Sequence, residues 1–506
     1  MTTINRFTRR EFMIHSSLLA IAASAPAVVS GAEPPRSKRR DLSELTAAQA
    51  VMALRNGDIR AEDYAEALLA QTERFRALNA FVALHPVEVR QAARDADLHR
   101  TRGHALGLLH GLPIPVKDSI DTKSLPTTNG TRALRNFHPQ TDAGILLPLL
   151  AQGAFVMGKT NLQELSSGWT STNALFGPVL NPYDRTRTPG GSSGGSAVAV
   201  AARMAPIAIG EDTYGSIRVP ATFCGLVGLR PTFGRYPDDG VMPLSRNRFD
   251  QLGPLARSVG DIILFDSVLT GNHSPVHPLP LTGIRIGTSQ FLMQGIDPEC
   301  RRIVDAALDR LRGAGVQIVP TELPPSLQEA SRVEGALLGI ELLPGISRFL
   351  AAQGSDVSVD ELIAQAGPSL KGLLASAGHT ASQERYRQLR RTQRRMKAEA
   401  IAFFRANRID ALAFAPSLTP AFPLEGRNTL EINGRRVSLS TSIGRQVAIG
   451  SCASLSCLVL PAGMTADGLP VGLEFDALPG TDRRLLSLGL SLENTLGAIP
   501  PPPLHV

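Results

Sequence analysis

Between residues 107 and 260 the chain consists largely of glycine and other small residues, interrupted by short, wholly apolar runs. Ile114–Val116, Ala154–Met157 and Pro206–Ile209 are three of these. Such runs are too short for helices and lack polar alternation, so they read as strands buried on both faces. Helical patterns lie between and around them, which predicts an α/β architecture. The same logic gives a strand–helix–strand unit from Ile284–Gly287, a helix over Cys300–Arg312 ending near Gly315, and Val316–Val319. Upstream, Leu45, Ala48 and Met52 share a helical face that stops at Asn56-Gly57. A second helix fits Glu62–Leu78, followed by an apolar run Ala80–Leu84. Residues 325–405 carry mostly helical pattern, expected as an added layer that shapes a pocket. The stretch 408–475 returns to short strands and turns. The Pro-rich end, 500–506, cannot continue a helix or sheet.

The first forty residues read as an address and a linker. Arg9-Arg10 followed by Phe12, a modest apolar stretch from Ile14 to Ser30, and small residues up to Ala32 are the parts of a secretory signal. The paired arginines resemble a bacterial twin-arginine signal, so export and removal of residues 1–32 are expected. Residues 33–40 then form a basic linker, and a body spans 41–499. That body has no run of about 18 uninterrupted apolar residues, so no membrane association is expected after cleavage. The formal charge of +7 is concentrated at the start, leaving only +2 beyond residue 40. A nucleic-acid binder needs a basic face for phosphates, so no nucleic-acid partner is expected. The cluster Arg390, Arg391, Arg394, Arg395 and Lys397 reads as the solvated face of a helix. Cys224, Cys300, Cys452 and Cys457 lack metal-type spacing, and the ten histidines contain no H-E-x-x-H. Neither a metal nor another cofactor is expected.

The densest chemical signal is Thr188-Pro-Gly-Gly-Ser-Ser-Gly-Gly-Ser196, which runs into the helical stretch Ala197–Met204. Its glycines allow backbone geometries and close approaches that other residues forbid. A phosphate loop would require a Lys after the glycines, and none follows. Gly191-Ser192-Ser193-Gly194-Gly195 formally matches G-x-S-x-G, but the preceding Asn181–Pro189 is loop-like rather than the strand such an elbow needs. Two further features support a third reading. Lys117 ends the run Pro113–Val116 in a chain with six lysines against 46 arginines, and a buried lysine readily gives up its proton and becomes a base. Ser216 follows a turn at the head of a predicted helix, where backbone N–H groups can hold a developing oxyanion.

Lys117, Ser192 and Ser216, spaced by 75 and 24 residues, together with Asp212-Thr-Tyr-Gly-Ser-Ile-Arg218, resemble the amidase signature enzymes. Gly158–Glu164, Asn181-Pro182, Phe223–Pro231, Gly253–Val259 and Gly468–Glu474 are also similar to segments of that family. The resemblance implies a single three-layer α/β/α domain with a mixed central sheet and an added helical layer, and hydrolysis of an amide, without cofactor, through an acyl-enzyme on Ser216. Ser192, in a cis peptide, would be the bridge and neutral Lys117 the base. It implies an oxyanion hole from the N–H groups of Thr213, Tyr214, Gly215 and Ser216. Asp212 and Arg218, with Gly191 and Ser193, would support the loops, and Lys159 would be structural. Tyr214 stands where the family pattern has glycine, and would be strained if that position needs a positive φ. Glu211 replaces a usual small residue and adds charge nearby. Residues 234–259 are similar to indoleacetamide and mandelamide hydrolases, which implies a small-molecule aryl or alkyl amide. Esters, carbamates and anilides stay open as substrates of the same triad. A homodimer also stays open, as does an inactive exported binding protein in which Tyr214 disables the oxyanion hole.

Overall fold

The structure, a computed structural model, describes residues 41–245, 249–377, 382–424 and 429–503. The signal and linker expected over 1–40, and the end of the Pro-rich tail, lie outside the described residues. Thirteen strands follow in chain order. They are β1 (Phe81–Ala83), β2 (Pro113–Lys117), β3 (Phe155–Thr160), β4 (Ile207–Asp212), β5 (Val227–Arg230), β6 (Gln251–Ala256), β7 (Arg285–Ser289), β8 (Gln317–Thr321), β9 (Ala411–Phe414), β10 (Thr429–Ile432), β11 (Arg435–Ser438), β12 (Ser456–Met464) and β13 (Pro470–Ala477). Eleven form one sheet in the order β1-β3-β2-β4-β6-β5-β12-β13-β9-β7-β8, while β10 and β11 make a separate hairpin. β2 runs parallel to β3 and β4, and β7 parallel to β8 and β9, whereas the strands between these groups pair antiparallel. The class is α/β, as the short apolar runs predict, and the sheet is mixed, as the resemblance implies.

Strand alternation builds a core on each face. Ile207 and Ile209 of β4, with Leu458 and Leu460 of β12, pack with Ile262, Phe265, Leu485 and Leu492 from the helices Val259–Thr270 and Asp482–Leu496. Ala208 and Val459 point the other way, onto Ala197, Val200 and Ala221 from the helices Gly194–Ala201 and Arg218–Phe223. Covered on both sides, the central stretches of these strands are apolar, and the charged residues Glu211 and Asp212 fall at the end of β4.

Several expected elements shift. The first helix runs Ala47–Asn56 because Thr46 and Gln49 form a capping box, and Gly57 ends it at φ +80°. Its buried face is Ala47, Ala50, Val51 and Leu54, while Met52 is exposed. The second helix stops at Arg74, and a tighter turn, Arg76–Leu78, completes it. The helix Arg445–Ala453 was not expected. All nine of its positions except Arg445 are buried, so no polar face marks it in the sequence.

The 325–405 region is helical, including the long segments Ala330–Ala352 and Gln383–Asn407. The first is long and apolar enough to cross a membrane by length and composition. Here Val333 and Leu337 pack with Phe414 of β9 and Met396 in one core. Leu342, Ile346 and Phe349 pack in another. On Gln383–Asn407, Arg391, Arg394 and Arg395 face solvent and Arg390 and Lys397 are half-buried.

The glycine-rich loop sits where helix Gly194–Ala201 meets the sheet. A methyl group added at Gly195 would overlap the backbone carbonyl and amide of Asn161, neither of which can swing aside. Gly195→Ala should destabilise the protein by about 3 kcal/mol, read as a lowered midpoint in urea unfolding; an unchanged midpoint would contradict this packing.

Candidate active site

Lys117 closes β2, a strand buried along its whole length. The pairing of Val116 with Ile209 brings Lys117 level with the end of β4. There Lys117 Nζ lies 2.6 Å from Ser192 Oγ and 3.3 Å from Glu211 Oε2. Burial pushes the Lys117 ammonium below its ordinary pKa, and the Glu211 carboxylate pulls partly against that shift. Ser119 Oγ and Ser166 Oγ also donate to Glu211 Oε2, at 2.7 and 3.0 Å.

Ser192 is completely buried and follows a cis Gly191–Ser192 peptide. Its carbonyl accepts from the Gln163 N–H at 3.1 Å and from Ser171 Oγ at 3.2 Å. Ser193 turns away, into β4. Its hydroxyl donates to the Glu211 carbonyl and accepts from the Glu211 N–H, at 3.0 and 3.2 Å. Its own N–H donates to the Ser216 carbonyl at 3.2 Å, which ties the glycine-rich loop to the second serine.

Ser216 stands just before the helix Arg218–Phe223 and is 5% exposed. Among the described residues its hydroxyl has no hydrogen-bond partner. The positive φ in this turn falls on Gly215, at +88°, and not on Tyr214. Tyr214 therefore carries no left-handed strain, and the cost foreseen for it does not arise. Its hydroxyl bonds Ser331 on the helix Ala330–Ala352. Trp169 Nε1 donates to the Tyr214 carbonyl at 2.7 Å, and the two rings meet edge to face at 5.2 Å. The Gly215 N–H is committed to Asp212 Oδ1 at 2.9 Å, which removes it from the four expected oxyanion donors. The N–H groups of Thr213, Tyr214 and Ser216 have no partner among the described residues.

Asp212 organises this turn. Besides Gly215, it accepts from the Ile217 N–H at 3.0 Å and from Arg218 Nη2 and Nε, both at 3.0 Å. Arg230 Nη1 lies 3.2 Å away, and Arg218 Nη1 also reaches Glu474 of β13 at 2.7 Å. Burial alone would raise the Asp212 pKa, but Arg218 and Arg230 hold the carboxyl well below the usual range. Lys159 is held by the Ile120 carbonyl and Thr127 Oγ1, both at 2.7 Å, and pairs with Asp118 at 3.5 Å.

Sequence reasoning did not anticipate Trp169, Arg230, Asp250 or the contact of Glu211 with Lys117. Asp250 accepts from Thr213 Oγ1 at 2.7 Å and from the N–H groups of Leu244 and Ser245. Burial, and next the charge of Glu211, push its carboxyl up to about 7. Signals existed for Trp169, the sole tryptophan of the chain, and for Glu211, singled out above as added charge beside the turn.

A buried, depressed lysine against a serine, with a second serine at a donor-rich turn, is an arrangement that can move a proton off a nucleophile and hold an oxyanion. Comparison with known proteins bears on which chemistry uses it. The Amidase family profile matches residues 63–486. This chain belongs to the amidase family. It is thus an amide hydrolase, acting on carbon–nitrogen bonds other than peptide bonds. The amidase is 35% identical to the indoleacetamide hydrolase of Agrobacterium vitis over 457 residues, covering 89% of this chain and 96% of that one. It is 34% identical to the mandelamide hydrolase of Pseudomonas putida, over 91% of this chain and 93% of the relative. Among solved structures it superposes on the peptide amidase of Stenotrophomonas maltophilia with a TM-score of 0.79 at 29% identity, covering 91% of this chain and 98% of the other.

Asp212→Asn should lower the unfolding free energy by about 3–5 kcal/mol, because Arg218 and Arg230 would be left buried without their shared anion. Asp212 has a depressed folded pKa, so its contribution is present above the unfolded value of about 4 and fades as pH falls below it. Urea unfolding between pH 7 and pH 3 should show the gap between wild type and variant narrowing at the acid end. A constant gap would contradict the ion-pair account.

Proposed function

We propose that this amidase hydrolyses a small aromatic carboxamide to the acid and ammonia, with Ser216 as nucleophile, Ser192 as relay and Lys117 as base. The observation that carries the roles is the 2.6 Å contact of Lys117 Nζ with Ser192 Oγ, both side chains fully buried. As Ser216 Oγ bonds to the carbonyl carbon, its proton passes to Ser192 Oγ while the Ser192 proton passes to neutral Lys117. The carbonyl π pair moves onto oxygen, where the Thr213, Tyr214 and Ser216 N–H groups are free to receive it. Reversal of the relay protonates the leaving nitrogen, the C–N bond breaks, and water repeats the sequence on the acyl-enzyme.

Support for an aromatic substrate comes from the half-buried Trp169 ring, whose indole N–H bonds the Tyr214 carbonyl in the turn that carries Ser216. The names of the relatives point the same way, since indoleacetamide and mandelamide are both aromatic amides. Ammonia release from arylacetamides should exceed release from aliphatic amides of similar size. Ser216→Ala and Lys117→Ala should each lose at least about 10⁴-fold in kcat/KM, with Ser192→Ala severely impaired and Ser193→Ala less so. A fluorophosphonate probe should label Ser216. Labelling at Ser193, or an active Ser216→Ala, would overturn the assignment of roles.

We further propose that the amidase is exported through its twin-arginine-type start and acts in the periplasm or outside the cell. Arg9-Arg10 and the small residues before Ala32 support this reading. Replacing Arg9 and Arg10 by Lys should leave the uncleaved chain in the cytoplasm of a bacterial host; unchanged export would remove the twin-arginine reading.

A further inference from the structure

We propose that Glu211 is a positioning residue for the reaction, its carboxylate fixing Lys117 against Ser192 and supplying the counter-charge for the ammonium that Lys117 becomes. This inference rests on the base role given to Lys117 above. The geometry is specific to one oxygen. Lys117 Nζ, Ser119 Oγ and Ser166 Oγ converge on Glu211 Oε2 at 3.3, 2.7 and 3.0 Å, the first two from the end of β2 and the third from a separate segment of chain. The Glu211 backbone is pinned on both sides by the Ser193 hydroxyl, in the loop that carries Ser192. Glu211 is 1% exposed, and its other oxygen has no hydrogen-bond partner. It borders a cavity of about 10 Å³ shared with Asp238, Asp250 and Gln251, room for about one water. A carboxylate buried at this cost, in a position where the family pattern is small, needs a compensating partner, and Lys117 is the cation in contact with it.

The other charges facing Lys117 are already engaged. Asp212, on the same strand as Glu211, is neutralised by Arg218 and Arg230. Asp118 pairs with Lys159. Asp250, across from Glu211 on the approach to β6, has its carboxyl pushed up to about 7 and so is largely protonated below that pH. Glu211 is thus the carboxylate that sets how firmly Lys117 holds a proton. When the relay delivers the Ser192 proton to Lys117 Nζ, a neutral amine becomes a cation 3.3 Å from an anion. No proton need move to Glu211. The pair opposes deprotonation of Lys117 in the resting enzyme and stabilises the ammonium once the oxyanion has formed, the state in which stabilisation accelerates the reaction.

The test is the pH profile of kcat/KM for the mature chain with an arylacetamide. Glu211→Gln keeps the volume and an acceptor for Ser119 and Ser166 but removes the charge. Without the group that raises the Lys117 pKa, the acid limb should move to lower pH by about one unit or more. On the plateau kcat should fall by about a hundredfold, with KM changed less than about threefold. Ser166→Ala, which strips a donor from Glu211 and sharpens its charge, should move the limb the opposite way. An acid limb that stays in place in Glu211→Gln, while Lys117→Ala is inactive, overturns the proposal but leaves the base role standing. An active Lys117→Ala overturns the base role itself. If Glu211→Gln fails to fold, the Ser166→Ala profile decides alone, and no upward shift overturns the proposal.

Discussion

Four elements of this protein meet in a buried ion cluster, and the turn that carries Ser216 takes its shape from it. Asp212 ends β4, Arg218 opens the helix behind Ser216, and Arg230 ends β5, with Glu474 of β13 closing the group. Two guanidinium groups that cannot lose their protons are balanced from the sheet interior, and the anion between them gathers the Gly215, Ile217 and Arg218 N–H groups. Buried ion pairs contribute little net stability, since desolvation offsets most of the attraction. What this one supplies is shape. By taking up the Gly215 N–H it leaves its neighbours' N–H groups free at the mouth of the site.

A second electrostatic arrangement lies a strand away and works in the opposite sense. Around Asp212 opposite charges are matched closely, which fixes the charge state. Around Lys117 burial and the Glu211 carboxylate pull against each other, which keeps the proton transferable. Lys159, equally buried, sits in a different setting. It is held by the Ile120 carbonyl, the Thr127 hydroxyl and Asp118.

Much of this was legible in the sequence, for identifiable reasons. β2, β3 and β4 open as short apolar runs because both of their faces are covered there, and the β7–helix–β8 unit declares itself through helical periodicity and a glycine stop. Lys117 could be singled out because lysine is scarce in the chain, and the serine loop because its glycines are dense. The helix Arg445–Ala453 left no trace because it has almost no solvent face. The contact of Glu211 with Lys117 depends on strand register between residues 94 apart, which no local pattern encodes. The worry over Tyr214 failed for a smaller reason: the turn places its left-handed residue at Gly215, one position later.

The hydroxyl of Tyr214 reaches across to Ser331, on the long helix that packs over the sheet. A glycine at 214 would leave that helix and the catalytic turn as neighbours; a tyrosine makes them one mechanical piece. Gly444 lies so close beneath the hydroxyl that a side chain there would collide with it, so the joint has little slack. Remodelling of the helical layer to admit a new substrate would be transmitted to the turn that carries Ser216. In this chain the range of substrates and the speed of turnover are therefore not independently adjustable, and variation in one leaves its mark on the other.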